Sequence, residues 1–152
     1  MINSELYGNS IVNALFNTGN KTSNSVSFPT TPYIALFTKK PSKDGTGYTE
    51  PTSTEYARVL LTNKGAYGKQ MMGTSATDGT DGGVNYATVK NQDLIVFPEA
   101  KSAAFGTIVG VGIFSVATGG TPYIWGDLTS SVTVNIGEIP IFREEDFVFK
   151  LA

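Results

Sequence analysis

From Pro32 onward, short runs of β-branched and aromatic residues alternate with clusters of turn-forming residues, and this spacing constrains the fold more than any other feature. Such a pattern is typical of an antiparallel β-sandwich or barrel. We therefore predict a mainly β chain, an antiparallel β-sandwich of about eight strands. The predicted strands are residues 33–38, 57–62, 84–89, 93–97, 107–117, 122–127, 132–136 and 147–151, with a short extended piece at 139–142.

A β-hairpin is the best-defined local element. Residues 117–120, Ala-Thr-Gly-Gly, supply glycines for the positive φ angles of a tight turn, between apolar runs that contain Ile113 and Trp125. Gly110 and Gly112 fall on one face of the first strand, because side chains alternate along a strand. We expect another backbone or a large ring to approach these glycines closely, with Trp125 as the candidate ring, and we interpret this as core packing rather than a ligand slot.

The amino-terminal region has a different pattern. Ser4 is placed to cap a short helix, and Tyr7, Ile11 and Leu15 recur at helical spacing to form one apolar stripe. The stretch that follows contains Phe28 and two prolines and predicts an extended arm. The sequence therefore divides into a helix and arm at residues 1–31 and a β-sandwich domain at residues 32–152.

The composition limits the classes of partner. Charged residues make up 16% of the 152 residues, against about 25% in a typical soluble domain, and the net charge is -2. With no basic run longer than Lys39-Lys40, a nucleic-acid partner is not expected. The longest apolar stretch is far shorter than the about 20 residues that span a bilayer, so neither a membrane nor a signal peptide is expected.

Catalytic and metal chemistry are not expected either. The chain has no cysteine and no histidine, which removes thiolate and imidazole groups as ligands, nucleophiles and bases. Asp78 and Asp81 lie on a predicted glycine-rich loop, but their spacing does not match a calcium loop. Glu144 and Glu145 are adjacent in a predicted turn and should diverge. We predict a non-enzymatic protein with no cofactor and no metal site.

Six short motifs follow one another along the chain: Tyr33 to Thr38, Thr49-Glu50, Tyr56-Ala57-Arg58, Phe97 to Ala100, Gly112 to Phe114 and Tyr123 to Gly126. This ordered series resembles a family of small virion structural proteins of tailed bacteriophages. Proteins of this family are labelled head decoration, minor tail or tail fibre proteins. The resemblance implies a component of the virion surface that is made in the host cytoplasm.

The first hypothesis is a capsid decoration or cement subunit, which binds the major capsid protein and neighbouring copies of itself as a trimer or dimer. Extended segments and uncharged loops provide contact surface without the cost of burying charges. The candidate interface residues are Tyr7, Ile11, Leu15, Phe28, Tyr48 and Tyr67.

The alternative hypothesis is a host-recognition module of a tail fibre or baseplate. In this alternative, the loops around Tyr48, Tyr67 and Asp78 bind a host surface glycan. The residues leave both hypotheses open, because aromatic loops serve protein and sugar partners alike.

Overall fold

The computed structural model describes residues 2–3, 31–62, 64–73, 77–81 and 84–151. Over these residues the protein is mainly β and contains no helix, and every strand pairing is antiparallel. The strands are β1 (Ile2–Asn3), β2 (Tyr33–Phe37), β3 (Val59–Leu60), β4 (Thr77–Asp81), β5 (Val84–Lys90), β6 (Ile95–Val96), β7 (Gly106–Phe114), β8 (Ile124–Val134), β9 (Ile141–Phe142) and β10 (Val148–Leu151).

These ten described strands form three sheets. The largest has five strands in the order β1-β8-β7-β2-β3, the second has the order β10-β5-β4, and the third pairs β6 with β9. The mainly β, antiparallel character predicted from the sequence is confirmed. A single sandwich of about eight strands is not confirmed. The predicted amino-terminal helix lies outside the described residues.

The predicted hairpin is confirmed. Ile113 pairs with Ile124 and Gly112 with Trp125 across β7 and β8, and Gly119 and Gly120 in the turn have φ angles of 65° and 77°. Glycine adopts these positive φ angles without the steric penalty that a side chain would add.

Strand β8 corrects one predicted boundary. The sequence suggested separate strands at residues 122–127 and 132–136, whereas β8 runs unbroken from Ile124 to Val134. Its register against β7 shifts: Gly110 pairs with Asp127 and Ile108 with Val132, so residues 128–131 bulge opposite a single residue of β7. The predicted interruption thus coincides with a bulge inside one strand.

Strand β4 corrects a second prediction. Residues 77–81 were expected in a loop because Asp and Gly disfavour strands. They instead pair with β5, with Asp78 opposite Ala87 and Asp81 opposite Val84. The β-prone partner strand, whose sequence is Val-Asn-Tyr-Ala-Thr-Val-Lys, overrides the local preference of the Asp-Gly residues.

The five-stranded sheet is covered on both faces. Alternate residues of β2 enter different clusters: Ile34 and Leu36 join the larger core, whereas Ala35 and Phe37 pack with Phe114 and Trp125. Four of the five residues of β2 are buried, so this strand lies at the centre of the structure.

The residue that covers Gly112 is Phe37. A Cβ atom at Gly112 would lie 2.5 Å from Cζ of Phe37, a distance that real Cβ atoms do not adopt. Trp125, the candidate from the sequence, is the cross-strand partner of Gly112 instead. That prediction was wrong because the ring comes from the neighbouring strand β2, which the order of the sequence does not reveal.

At its amino-terminal end, the described chain is part of the sheet, because Ile2 and Asn3 pair with Gly126 and Trp125 of β8. The division between residues 1–31 and 32–152 stays a prediction. Within the described residues, no helix has the length and apolar character that a membrane crossing would require.

Candidate functional site

Arg58 fastens the long loop between β2 and β3 to the β7–β8 hairpin. Its side chain is 2% exposed, and its Nε and Nη2 donate to the Glu50 carboxylate at 3.0 and 2.5 Å. Its Nη1 donates to the carbonyl oxygens of Val116 at 2.9 Å and Gly119 at 2.8 Å. The buried guanidinium therefore has partners on two segments that are far apart in the sequence.

Two tyrosines complete this attachment. The Tyr56 hydroxyl donates to Glu50 at 2.9 Å and accepts from the Leu36 backbone N–H at 2.9 Å. Burial, reinforced by the charge of Glu50, raises the pKa of Tyr56 above its usual value. The Tyr48 hydroxyl donates to the Gly120 carbonyl at 2.7 Å, and its ring packs against Phe37 and Phe114. The Thr49-Glu50 and Tyr56-Ala57-Arg58 motifs thus hold the loop in place.

Asp93 holds a second loop, residues 64–70. This residue is fully buried, and its carboxylate accepts backbone N–H groups from Tyr67 at 3.1 Å, Lys69 at 2.9 Å and Leu94 at 2.7 Å. Burial opposes ionisation, but these hydrogen bonds outweigh it and lower the pKa of Asp93. The carboxylate fixes the backbone of the loop while the side chain of Tyr67 is 71% exposed.

Asn91 anchors the turn that precedes β10. Its Nδ2 donates to the carbonyl of Asp93 at 2.9 Å and to that of Arg143 at 2.6 Å, and its Oδ1 accepts from the Phe147 N–H at 2.8 Å. A fully buried amide with three partners holds both segments at fixed positions. Asn91 and Asp93 therefore set the relative position of loop 64–70 and the turn at 143–147.

A groove with a volume of about 920 Å³ lies between these elements. The end of β8, the segment that leads into β9 and Tyr67 all contribute to its lining. The lining residues are Tyr67, Leu94, Val132, Thr133, Val134, Glu138, Ile139, Pro140, Ile141, Arg143, Glu144 and Asp146. We call this surface the groove.

Apolar side chains in the groove are exposed to solvent. Val132 is 53% exposed, Ile139 47% and Ile141 46%, and Ile136 in the adjoining turn is exposed as well. A cluster of exposed aliphatic residues in one concavity is typical of an interaction surface, whereas isolated ones are ordinary.

Two strand edges flank the groove. The end of β8 pairs with β7 through Ile108 and Val132, and β9 pairs with β6 through Val96 and Ile141. Among the described residues, no strand pairs with the remaining edges of residues 132–134 and 139–142.

The predicted site residues fall in different places. Tyr67 lies on the groove, whereas Tyr48 is tied to Gly120 at the hairpin end of the five-stranded sheet. Asp78 lies on β4, where it pairs with Ala87 of β5. Four further candidates lie outside the described residues: Tyr7, Ile11, Leu15 and Phe28.

The carboxylates of residues 143–146 serve a turn. Asp146 accepts the Arg143 N–H at 2.9 Å, and Glu144 and Glu145 form exposed ion pairs with Lys69 and Lys90. In the part of the chain that the structure describes, no three acidic side chains gather as a metal site would require.

Sequence reasoning missed the residues that build the groove. Asp93 was assigned to a strand, and Val132 and Ile139 were treated as parts of strands. An available signal was Asp93 directly before the apolar run Leu94-Ile95-Val96, because an aspartate at such a position often accepts nearby backbone N–H groups. The exposure of Val132 and Ile139 had no local signal.

A family model described as "Podophage GP4 fiber I protein gp80" matches residues 3–150. The chain belongs to this family. The match covers all the motifs on which the resemblance to small virion structural proteins of tailed bacteriophages rests, and that resemblance is confirmed. As a member of the podophage fiber I family, the protein is a phage structural protein and a component of the virion. No curated protein matches the chain.

Proposed function

We propose that the protein is a non-enzymatic structural subunit of the phage fibre and that the groove is its contact surface for neighbouring subunits. The observation that carries this proposal is the group of exposed aliphatic residues Val132, Ile139 and Ile141 on a fixed concave surface. The description of the family as a fibre protein supports the fibre over the capsid as the location.

The use of the buried polar groups supports a structural role. Arg58 donates hydrogen bonds to backbone carbonyls of the hairpin, and Asp93 accepts them from backbone N–H groups of loop 64–70. Groups arranged for acid–base catalysis need access to a substrate. These two instead stabilise surface loops at fixed positions, as a subunit with rigid contacts requires.

A cryo-EM map of the native particle tests the proposed location. We expect density that fits the three sheets in the fibre, with the groove against a neighbouring chain. Density between the capsomers of the head would overturn the fibre proposal and favour the capsid decoration role predicted from the sequence. Infection of the host by particles that carry Ile139→Asp, compared with Val116→Asp at the exposed hairpin tip, tests the groove separately.

One observation favours a second candidate function, recognition of a host surface glycan. Tyr67 presents an exposed ring on the groove that Arg143 and Glu138 also line, and a ring combined with charged groups suits a sugar. A glycan array compares wild type with Tyr67→Ala. Binding that is lost in Tyr67→Ala supports this candidate, and absence of wild-type binding to host-derived glycans removes it.

A further inference from the structure

We propose that the groove accepts residues 24–28 of a second copy of this chain as an added strand. This inference names the partner of the contact surface and therefore rests on the proposed structural role. The two flanking strand edges, at residues 132–134 and 139–142, offer backbone groups to an extended segment. Addition of a strand at an exposed edge is a recurring mode of peptide recognition, in which alternate side chains enter pockets.

The sequence of residues 24–28 suits this position. It is Asn-Ser-Val-Ser-Phe, so Val26 and Phe28 alternate with polar residues and share one face when the segment is extended. That face matches the exposed aliphatic side chains Ile139 and Ile141 of the groove. Pro29 follows directly and ends the ladder, because proline has no backbone N–H.

The proposed segment adds no charge to the groove. Residues 24–28 are uncharged. Two carboxylates of the groove already have partners, because Glu144 pairs with Lys69 and Asp146 accepts the Arg143 N–H. An uncharged segment can enter the groove without the cost of burying a charge of its own.

The length of the chain separates Phe28 of one copy from the Val132 end of its own groove. Thr31 donates to the Ser115 carbonyl at the hairpin end of β7, whereas Val132 of the groove pairs with Ile108 at the other end. Six residues of strand, from Ile108 to Phe114, span about 20 Å. Phe28 is three residues from Thr31 and reaches at most about 10 Å from it. A chain therefore cannot place its own Phe28 beside its own Val132.

Cross-linking between two differently tagged forms of the full chain tests the pairing. One form carries Ser27→Cys and the other Thr133→Cys, and because the natural chain has no cysteine, these thiols are the only ones present. We expect a short bismaleimide to join the two forms into a heterodimer. The matched control replaces Thr133→Cys by Val116→Cys, which places the thiol at the exposed hairpin tip and should give only background product.

Two variants extend the test. Phe28→Asp in the Ser27→Cys form and Ile139→Asp in the Thr133→Cys form should each remove most of the heterodimer. The pairing is overturned if the yield of heterodimer is no greater than with the Val116→Cys control. It is also overturned if neither variant lowers that yield. Sedimentation of the wild-type chain as a monomer at all concentrations also overturns it. The location in the particle is measured separately, so fibre density without cross-linking would remove this pairing and leave the fibre role standing.

Discussion

The guanidinium carbon of Arg58 lies 3.5 Å from the centre of the Phe114 ring. The same side chain binds Glu50 and two carbonyl groups of the hairpin, so one residue joins the long loop, the five-stranded sheet and the β7–β8 turn. A cation above an aromatic face adds electrostatic attraction to these hydrogen bonds, and the contact is stronger where water is excluded. The loop between β2 and β3 is therefore held in a fixed position although it is long.

Arg58→Met should destabilise the fold by about 3 kcal/mol, because it leaves the Glu50 carboxylate without its buried partner. Two carbonyl groups of the hairpin would also lose their donor. The free energy of unfolding from urea denaturation measures the effect. The control is Lys40→Met, which removes an exposed ion pair with Asp127 and should cost less than about 1 kcal/mol. Equal losses in the two variants would contradict the role of Arg58.

Gly112→Ala should destabilise the protein by about 1–3 kcal/mol, because the added Cβ overlaps the Phe37 ring. If this overlap is the cause, the penalty should shrink when Phe37→Leu removes the ring. Urea denaturation of both single variants and the double variant forms the required cycle. Effects that add to within about 0.3 kcal/mol would show that the two positions do not interact.

Acid should destabilise the protein partly through Asp93. Its folded-state pKa lies below the usual value of an aspartate, so its contribution to stability is present above the unfolded pKa and is lost as pH falls through the folded pKa. Asp93→Asn should lower the unfolding midpoint at neutral pH, and its difference from wild type should narrow at acid pH. The control is Asp44→Asn at an exposed carboxylate: hydrogen bonds from Thr46 also lower the pKa of Asp44, but solvent screens this group, so its effect on stability should be smaller than that of Asp93→Asn. A difference from wild type that does not depend on pH would contradict the ionised state of Asp93.

The carboxyl group of Glu55 should titrate at an unusually low pH. Hydrogen bonds from Ser102 and Ser53 lower the pKa of Glu55 from 4.5 to about 2. Ser102→Ala should raise that pKa towards 4.5, and Ser53→Ala should have a smaller effect in the same direction. An NMR titration of the side-chain carboxyl resonance measures both. A pKa unchanged by Ser102→Ala would rule out the hydrogen bond at 2.5 Å.

Local pattern predicted those elements whose partners are neighbours in sequence. The β7–β8 hairpin is one: its turn needs positive φ at Gly119 and Gly120, and its strands follow directly on each side. Strand β4 was missed because the pairing of Asp78 with Ala87 outweighs the turn preference of Asp-Gly. The ring over Gly112 was misassigned because β2 is far from β7 in the sequence.

The candidate site was also only partly predictable from local sequence. Tyr67, a candidate interface residue from the sequence, has an exposed side chain in the structure, and its role as a contact residue stays a prediction. The groove beside it was not predicted, because Val132 and Ile139 resemble ordinary strand residues in sequence. Val132 lies in the five-stranded sheet, whereas Ile139 precedes β9 of the two-stranded sheet, so no local pattern indicates that they line one groove.

By itself, the sequence determined the mainly β character, the hairpin and the relationship to a family of virion structural proteins, because these depend on residue preferences and on ordered motifs. Only the tertiary structure decided the three sheets, the roles of Arg58 and Asp93, and the groove. The physical reason is distance along the chain: Arg58 binds a carbonyl 58 residues away, and Asp93 binds an N–H 26 residues away. Local preferences carry no information about which distant groups meet when the chain folds.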